Sequence, residues 1–291
     1  MSRVVVVTDS SACVPPDLAG ELDIVILPIS VHLGESGDSG GDGSASGASV
    51  TRLSEDAAHD ELSGANHPFV TEYLAAIEQP GGDAAVVVTP AIEFAAMYRN
   101  AALASALSSR PAVTIDARTA AAGQALVVLA GAEAAAQGAP LDDVVRVIED
   151  ASRRVELVAS LETLDPIRRS GPVPDEVLGE GGSSARSIFR MRGGTIEPLG
   201  AAETGSETLQ RIADAFVASC ADGAERVGVF HAEAPELAAQ LVTLLGRVDF
   251  VTGFSIAMQV HTGRGVVGAA WIPRTPDSWT DEIQLGGSDQ T

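Results

Sequence analysis

Cysteine, positive charge and long apolar runs are all scarce in this chain. Its two cysteines, Cys13 and Cys220, stand far apart and form no CxxC pair, which excludes a disulfide framework and the usual thiolate spacings for metal. Lys and Arg number 18 against 40 Asp and Glu, a formal net charge of -22. Such a surface repels phosphate backbones, so no nucleic-acid partner is expected. No stretch approaches the roughly twenty apolar residues of a spanning helix. The four valines after Arg3 are too short a run for a signal peptide. No integral membrane contact is therefore expected, and the cytoplasm is the simplest compartment. HxxxH, HxH and carboxylate–His spacings are missing, which argues against a metal. Neither a P-loop nor a GxSxG elbow occurs. Gly40-Gly41-Asp42-Gly43 lacks the Lys-Ser/Thr ending and adds negative charge, so no cofactor is expected.

What is present is ample apolar material, 45% of 291 residues, enough for a substantial core and, at this length, two domains. Residues 4–7 form a β-branched run ending at Thr8-Asp9-Ser10, and Pro15-Pro16 suits the first turn of a helix. Further strands are expected over 24–31, 84–88 and 112–115. Helices are expected over 54–62, 69–77, 93–107, 120–137 and 141–154. This alternation implies an α/β fold: an N-terminal, mostly parallel sheet with helices on both faces. In such sheets ligands collect at the carboxyl ends of the strands, so Thr8-Asp9-Ser10, Thr89-Pro90 and Asp116 should converge on one edge.

The second half changes character. Strands are expected over 157–164, 188–192, 227–231, 253–261 and 266–272, a hairpin turn at 192–195, and helices over 207–220 and 235–245. It reads as a smaller C-terminal α+β domain. The boundaries are then 1–156, 157–275, and a frayed tail over 276–291. The Gly/Ser-rich segment 35–49 reads as a flexible loop.

Several segments, in this order, carry a family resemblance: Thr8-Asp9-Ser10 after a strand; Asn66-His67-Pro68; Tyr98-Arg99-Asn100-Ala101; Ile115-Asp116 with Gly123; LETLDPIRRSG from Leu161; Ile196-Glu197-Pro198-Leu199; and His261-Thr262-Gly263-Arg264-Gly265, close to an HTGPG signature. The set resembles the DegV family over roughly residues 3–273. The resemblance implies two α/β domains with a fatty acid bound in the cleft between them, and in some members presentation of that fatty acid to a separate kinase. It implies ligand-binding roles for Asp9, Ser10, Asn66, His67, His261, Thr262, Gly263 and Arg264, to which the strand-end position adds Thr89. No catalytic residue is implied.

This chain departs from the family at several donors. The threonine of a TSQP-like segment falls on Ala65. An SGT triplet falls on Ala95-Ala96-Met97, and the serines before it on Ala91 and Ile92. Two basic positions fall on Pro172 and Glu203. The expectation is therefore non-catalytic binding of a fatty acid or similar amphiphile with a degenerate headgroup site, and a possible protein partner of unknown identity. Two rival readings stand beside it. One is a scaffold or regulatory protein that kept the fold and lost the lipid. The other is a hydrolase using His261 or His67 with Ser10, which lacks an identifiable third member. For single residues the bland readings are capping by Asp9 or Ser10, turn geometry at Gly263 and Gly265, and a solvated Arg264. His231 is expected to pack where a helix starts.

Overall fold

The computed structural model describes residues 3–33, 62–92, 97–162 and 185–275. The expectations for residues 35–49, 54–61, 93–96, 163–172 and 276–291 lie outside them. The first sheet joins β1 (Val4–Asp9), β2 (Val25–Leu27), β5 (Ala84–Thr89) and β6 (Ala112–Asp116) in the order β2-β1-β5-β6, all parallel. A short antiparallel pair, β3 (Ser30–Leu33) and β4 (Leu62–Asn66), stands apart. The second sheet is mixed, with order β11-β10-β12-β7-β8-β9. Its strands are β7 (Glu156–Leu161), β8 (Arg186–Arg192), β9 (Thr195–Ala202), β10 (Ala224–His231), β11 (Phe250–Gly253) and β12 (Val267–Pro273). Only β10 and β11 run parallel there.

Strand periodicity assigns the faces. In β1, Val5 and Val7 pack with Ala85, Val87, Tyr73 and Ile77 beneath α2 (Val70–Ile77) and α3 (Met97–Leu107). Val4 and Val6 face the other way, into a core shared with α4 (Ala121–Ala136) and α5 (Leu141–Arg154). That core continues to Leu157, Phe230, Phe250, Ala270 and Ile272 of the second sheet. The far face of the second sheet packs Val158, Val229 and Trp271 against α6 (Gly205–Ser219) and α7 (Pro235–Leu245). The layers thus run α2–α3, first sheet, α4–α5, second sheet, α6–α7. Being covered from both sides explains why α4 is apolar around its whole circumference, with residues from Ala121 to Leu129 all buried. Polar ties cross the same seam: Arg226 pairs with Glu133, and Arg154 Nη1 donates to Glu225 Oε1 at 2.7 Å and to the Pro273 carbonyl at 2.9 Å.

Three expectations need correction. The strand expected over 24–31 is two strands, because Pro28 lacks the N–H a continuous ladder needs. Leu62 begins a strand, β4, rather than ending a helix. The strand expected over 253–261 ends at Gly253 as β11 and is followed by helix α8 (Ile256–Thr262). Ser255 caps α8, its Oγ accepting from Met258 N at 3.4 Å, so capping outweighed the β-branched look of the run. Among the described residues no helix is long and apolar enough to cross a membrane.

Candidate functional site

Strand register sets the frame. β1 pairs with β5 through Val7 and Val87, and Thr89 pairs with Asp116 of β6. Continuing the first pairing by two residues puts Asp9 beside Thr89, so Asp9, Thr89 and Asp116 form a row at the carboxyl edge of the first sheet. Asp9 is fully buried, and its Oδ1 accepts from Ser11 N at 2.9 Å and from the Ser11 hydroxyl. Gln124 Nε2, from the first turn of α4, reaches Asp9 Oδ2 at 3.5 Å and Thr8 Oγ1 at 3.1 Å. Burial away from water pushes the Asp9 carboxyl up to about 6, against the hydrogen bonds from Ser11 and Gln124. Among the described residues no ion pair reaches it. Thr89 is likewise fully buried, and among the described residues its hydroxyl has no hydrogen-bond partner. Ser10 Oγ accepts from Ile29 N at 2.9 Å, tying the first turn to the start of β3.

The second half closes on this edge through its own strand ends. Thr252 of β11 donates its hydroxyl to the Cys13 carbonyl at 2.8 Å. Phe254, two residues further along the chain, stacks on Phe230 with ring centroids 5.4 Å apart. The helix α8 that follows packs against β3 and β4. Since β4 ends at Asn66, the next residue, His67, comes close to His261 in the last turn of α8. Both imidazoles are held below the ordinary histidine range by burial, and His67 disfavours charge on His261 further. The Nδ1 of His67 is buried without a hydrogen-bond partner. Two sequence-predicted residues more than 190 positions apart thus meet. Of Asn66, the structure gives the backbone pairing with Ser30.

The HTGRG turn differs from expectation. His261 sits on a helix rather than at a strand end. Gly263 and Gly265 do adopt positive φ, 79° and 72°, but their N–H groups are engaged. Gly263 N donates to Gln259 O at 2.7 Å and Gly265 N to Ala232 O at 2.8 Å. Neither N–H is left for an anion. Thr262 Oγ1 donates to Met258 O at 3.0 Å, closing the last turn of α8. Arg264 Nε lies 3.1 Å from Glu233 Oε2, so the side chain is ion-paired as well as partly exposed to solvent. His231 accepts from Ala234 N at 3.3 Å where α7 starts, the packing role expected of it.

Sequence reasoning missed Tyr73, Thr119 and Gln124. All three are fully buried, and among the described residues the hydroxyls of Tyr73 and Thr119 have no hydrogen-bond partner. Each such orphan costs about 1–3 kcal/mol. Thr119 lies between Arg118 and Ala121, which hold left-handed backbone at φ 55° and 48°, a strained loop of the kind that clusters at functional sites. The available signal was a lone glutamine in an otherwise apolar helix. At the positions of the missing family donors, Ala91 and Met97 are buried and Ile92 is 48% exposed. Ala65 lies in β4, and Glu203, exposed before α6, has its N–H bonded to Glu207 Oε2 at 3.1 Å. Among the described residues no group of three or more His, Cys, Asp or Glu is placed to hold a metal.

Comparison with known proteins covers the whole of this architecture. The DegV family model matches residues 3–274. A DegV domain-containing protein of Streptomyces coelicolor is 27% identical over 277 residues, 92% of this chain and 98% of the relative. One of Mycobacterium tuberculosis is 28% identical over 275 residues, 91% and 95%. Among solved structures, DegV of Bacillus subtilis, described as a fatty acid binding protein, superposes with a TM-score of 0.77 at 21% identity, covering 94% of this chain and 100% of that one. A stearic acid-binding protein of Eubacterium ventriosum superposes with a TM-score of 0.76 at 17% identity, covering 94% and 98%. Both structures share this fold.

Proposed function

The chain belongs to the DegV family, and from that premise we propose that it binds a fatty acid or similar amphiphile, without catalysis, where the strand ends of the first sheet meet α8. The boundary of the two halves falls after Glu156 in this reading, with domains 1–156 and 157–275. The cytoplasm is its compartment. Support comes from solved proteins of this fold described as binding fatty acids, and from a site suited to a carboxylate. The observation that carries the reading is the half-buried pair His67 and His261. Two neutral imidazoles offer N–H donors to an anion without the cost of burying two cations. Ser10 adds a hydroxyl. Thr262 and Gly263 shape the turn rather than grip the headgroup, since their donors already serve the fold, and Arg264 is paired with Glu233. The headgroup site is thus reduced to a few donors, in keeping with alanine and methionine at Ala91 and Met97.

Two outcomes are expected. His261→Ala weakens binding of a short, monomeric, ionised fatty acid by about tenfold in a calorimetric titration. Unchanged affinity would leave His261 a structural residue. The second concerns protons. Burial depresses both histidines in the free protein, and an adjacent carboxylate favours their charged form. Between the free and bound values, binding takes up a proton, so affinity rises as pH falls from about 8 to about 6. Titrations in two buffers of different ionisation enthalpy measure that uptake. Affinity independent of pH, with no proton taken up, would contradict the histidine assignment. The lost donors favour one rival, a DegV-type scaffold that no longer holds lipid, and ligand content decides between them.

A further inference from the structure

One polar cluster is not explained by a fatty-acid headgroup. Tyr73 on α2 and Thr89 at the end of β5 are fully buried, and among the described residues neither hydroxyl has a hydrogen-bond partner. Alternation along β5 puts Thr89 on the face of Ala85 and Val87, which pack with Tyr73 beneath α2 and α3. The β1–β5 register brings Asp9 alongside Thr89. The Asp9 carboxylate is also near enough to Tyr73 to raise its phenol beyond the effect of burial. Asp9 Oδ1 is occupied by Ser11, whereas among the described residues the side-chain hydrogen bond to Oδ2 is the long 3.5 Å contact from Gln124. An acceptor-only oxygen and two hydroxyls, each able to donate and accept, therefore share one buried wall with capacity unused.

The chemistry of this wall selects its occupant. A carboxylate there would face Asp9 at low dielectric, which two like charges do not tolerate. A bare alkyl chain would leave all three groups unsatisfied. An uncharged O–H suits them: it donates to Asp9 Oδ2 and accepts from Thr89 or Tyr73. We propose that Asp9, Tyr73 and Thr89 form a second ligand subsite that selects amphiphiles with a hydroxyl on the acyl chain over plain saturated chains. This subsite rests on the lipid-binding reading and names its ligand class. The headgroup remains with His67 and His261.

The test uses the full chain and competition against a fluorescent fatty acid, comparing stearate with hydroxystearates that differ in hydroxyl position. At least one positional isomer is expected to bind about tenfold tighter than stearate, the size of one buried hydrogen bond. That advantage should shrink to about twofold or less in Thr89→Val and in Tyr73→Phe, with stearate binding kept. Both substitutions preserve shape, so either serves if the other fails to fold. Stearate binding as tightly as every hydroxylated isomer overturns the subsite alone. So does an advantage that survives in both variants, or variants that gain thermal stability without changing selectivity, which marks the cluster as a site for bound water. If neither ligand class binds, the lipid-binding reading itself fails and the subsite with it.

Discussion

Asp9→Asn is expected to stabilise the folded protein by up to about 3 kcal/mol at pH 7.5 and by almost nothing near pH 4. The Asp9 carboxyl titrates near 6 in the folded state against 3.8 for an exposed carboxyl. A raised value means that the native state holds the proton more tightly than the unfolded chain. Below about pH 4 both states are protonated and ionisation costs nothing. Between about pH 4 and 6 the native state loses about 1.4 kcal/mol per pH unit relative to the unfolded chain, and above that range the penalty is constant. Asparagine keeps an acceptor for Ser11 and removes the charge. Chemical denaturation across this pH range should therefore show a slope in the wild type that is missing in the variant. Equal slopes would mean that Asp9 is solvated or paired when folded. A residue retained at such a cost fits a binding function, because stability gained by removing it is the usual trade at a functional site.

Gly131→Val is expected to destabilise by about 2–3 kcal/mol while leaving a single unfolding transition. Glycine in mid-helix is itself disfavoured by about 1 kcal/mol relative to alanine, so its presence in α4 needs a packing reason. That reason is α5: a Cβ at Gly131 would lie 2.4 Å from Ile148 Cγ1 and 2.5 Å from its Cδ1. Ile148 is fully buried and has nowhere to retreat. One core runs through this layer from Val4 of the first sheet to Ile272 of the second, so loosening it weakens both halves together. Two resolved transitions would show instead that the halves hold themselves independently. Calorimetry of the full chain separates these outcomes.

The first sheet was legible because its signals are local. The β-branched run Val4–Val7 allows little but a buried strand, and Pro140 before LDDVVRVIED marks the start of α5 at Leu141. The convergence of Asp9, Thr89 and Asp116 followed from parallel pairing alone. Errors arose where two periods overlap. Phe254, Ile256, Met258 and Val260 alternate like a strand, yet the helix buries Ala257 and Met258 and leaves Ile256 52% exposed. The Ser255 cap is the signal that decides for the helix. Asp9, Ser10 and Thr89 were legible as strand-end polar groups, whereas Asn66, His67 and the HTGRG segment were legible only through the family resemblance. The meeting of His67 with His261 depends on how α8 lies on β3 and β4, and no local pattern encodes that. Tyr73 stayed hidden for a related reason: a tyrosine on an amphipathic helix is ordinary core, and only its unpartnered hydroxyl beside Asp9 distinguishes it.

Ligand content is the most direct check on the central claim that this chain holds an amphiphile. The full-length protein, purified from a bacterial host without added lipid, is analysed by native mass spectrometry and then by solvent extraction. The account predicts about one acyl-chain ligand per protein molecule, released when the protein is unfolded and restored by incubation with fatty acid. A ligand-free protein that also fails to take up any fatty acid offered in excess would contradict it.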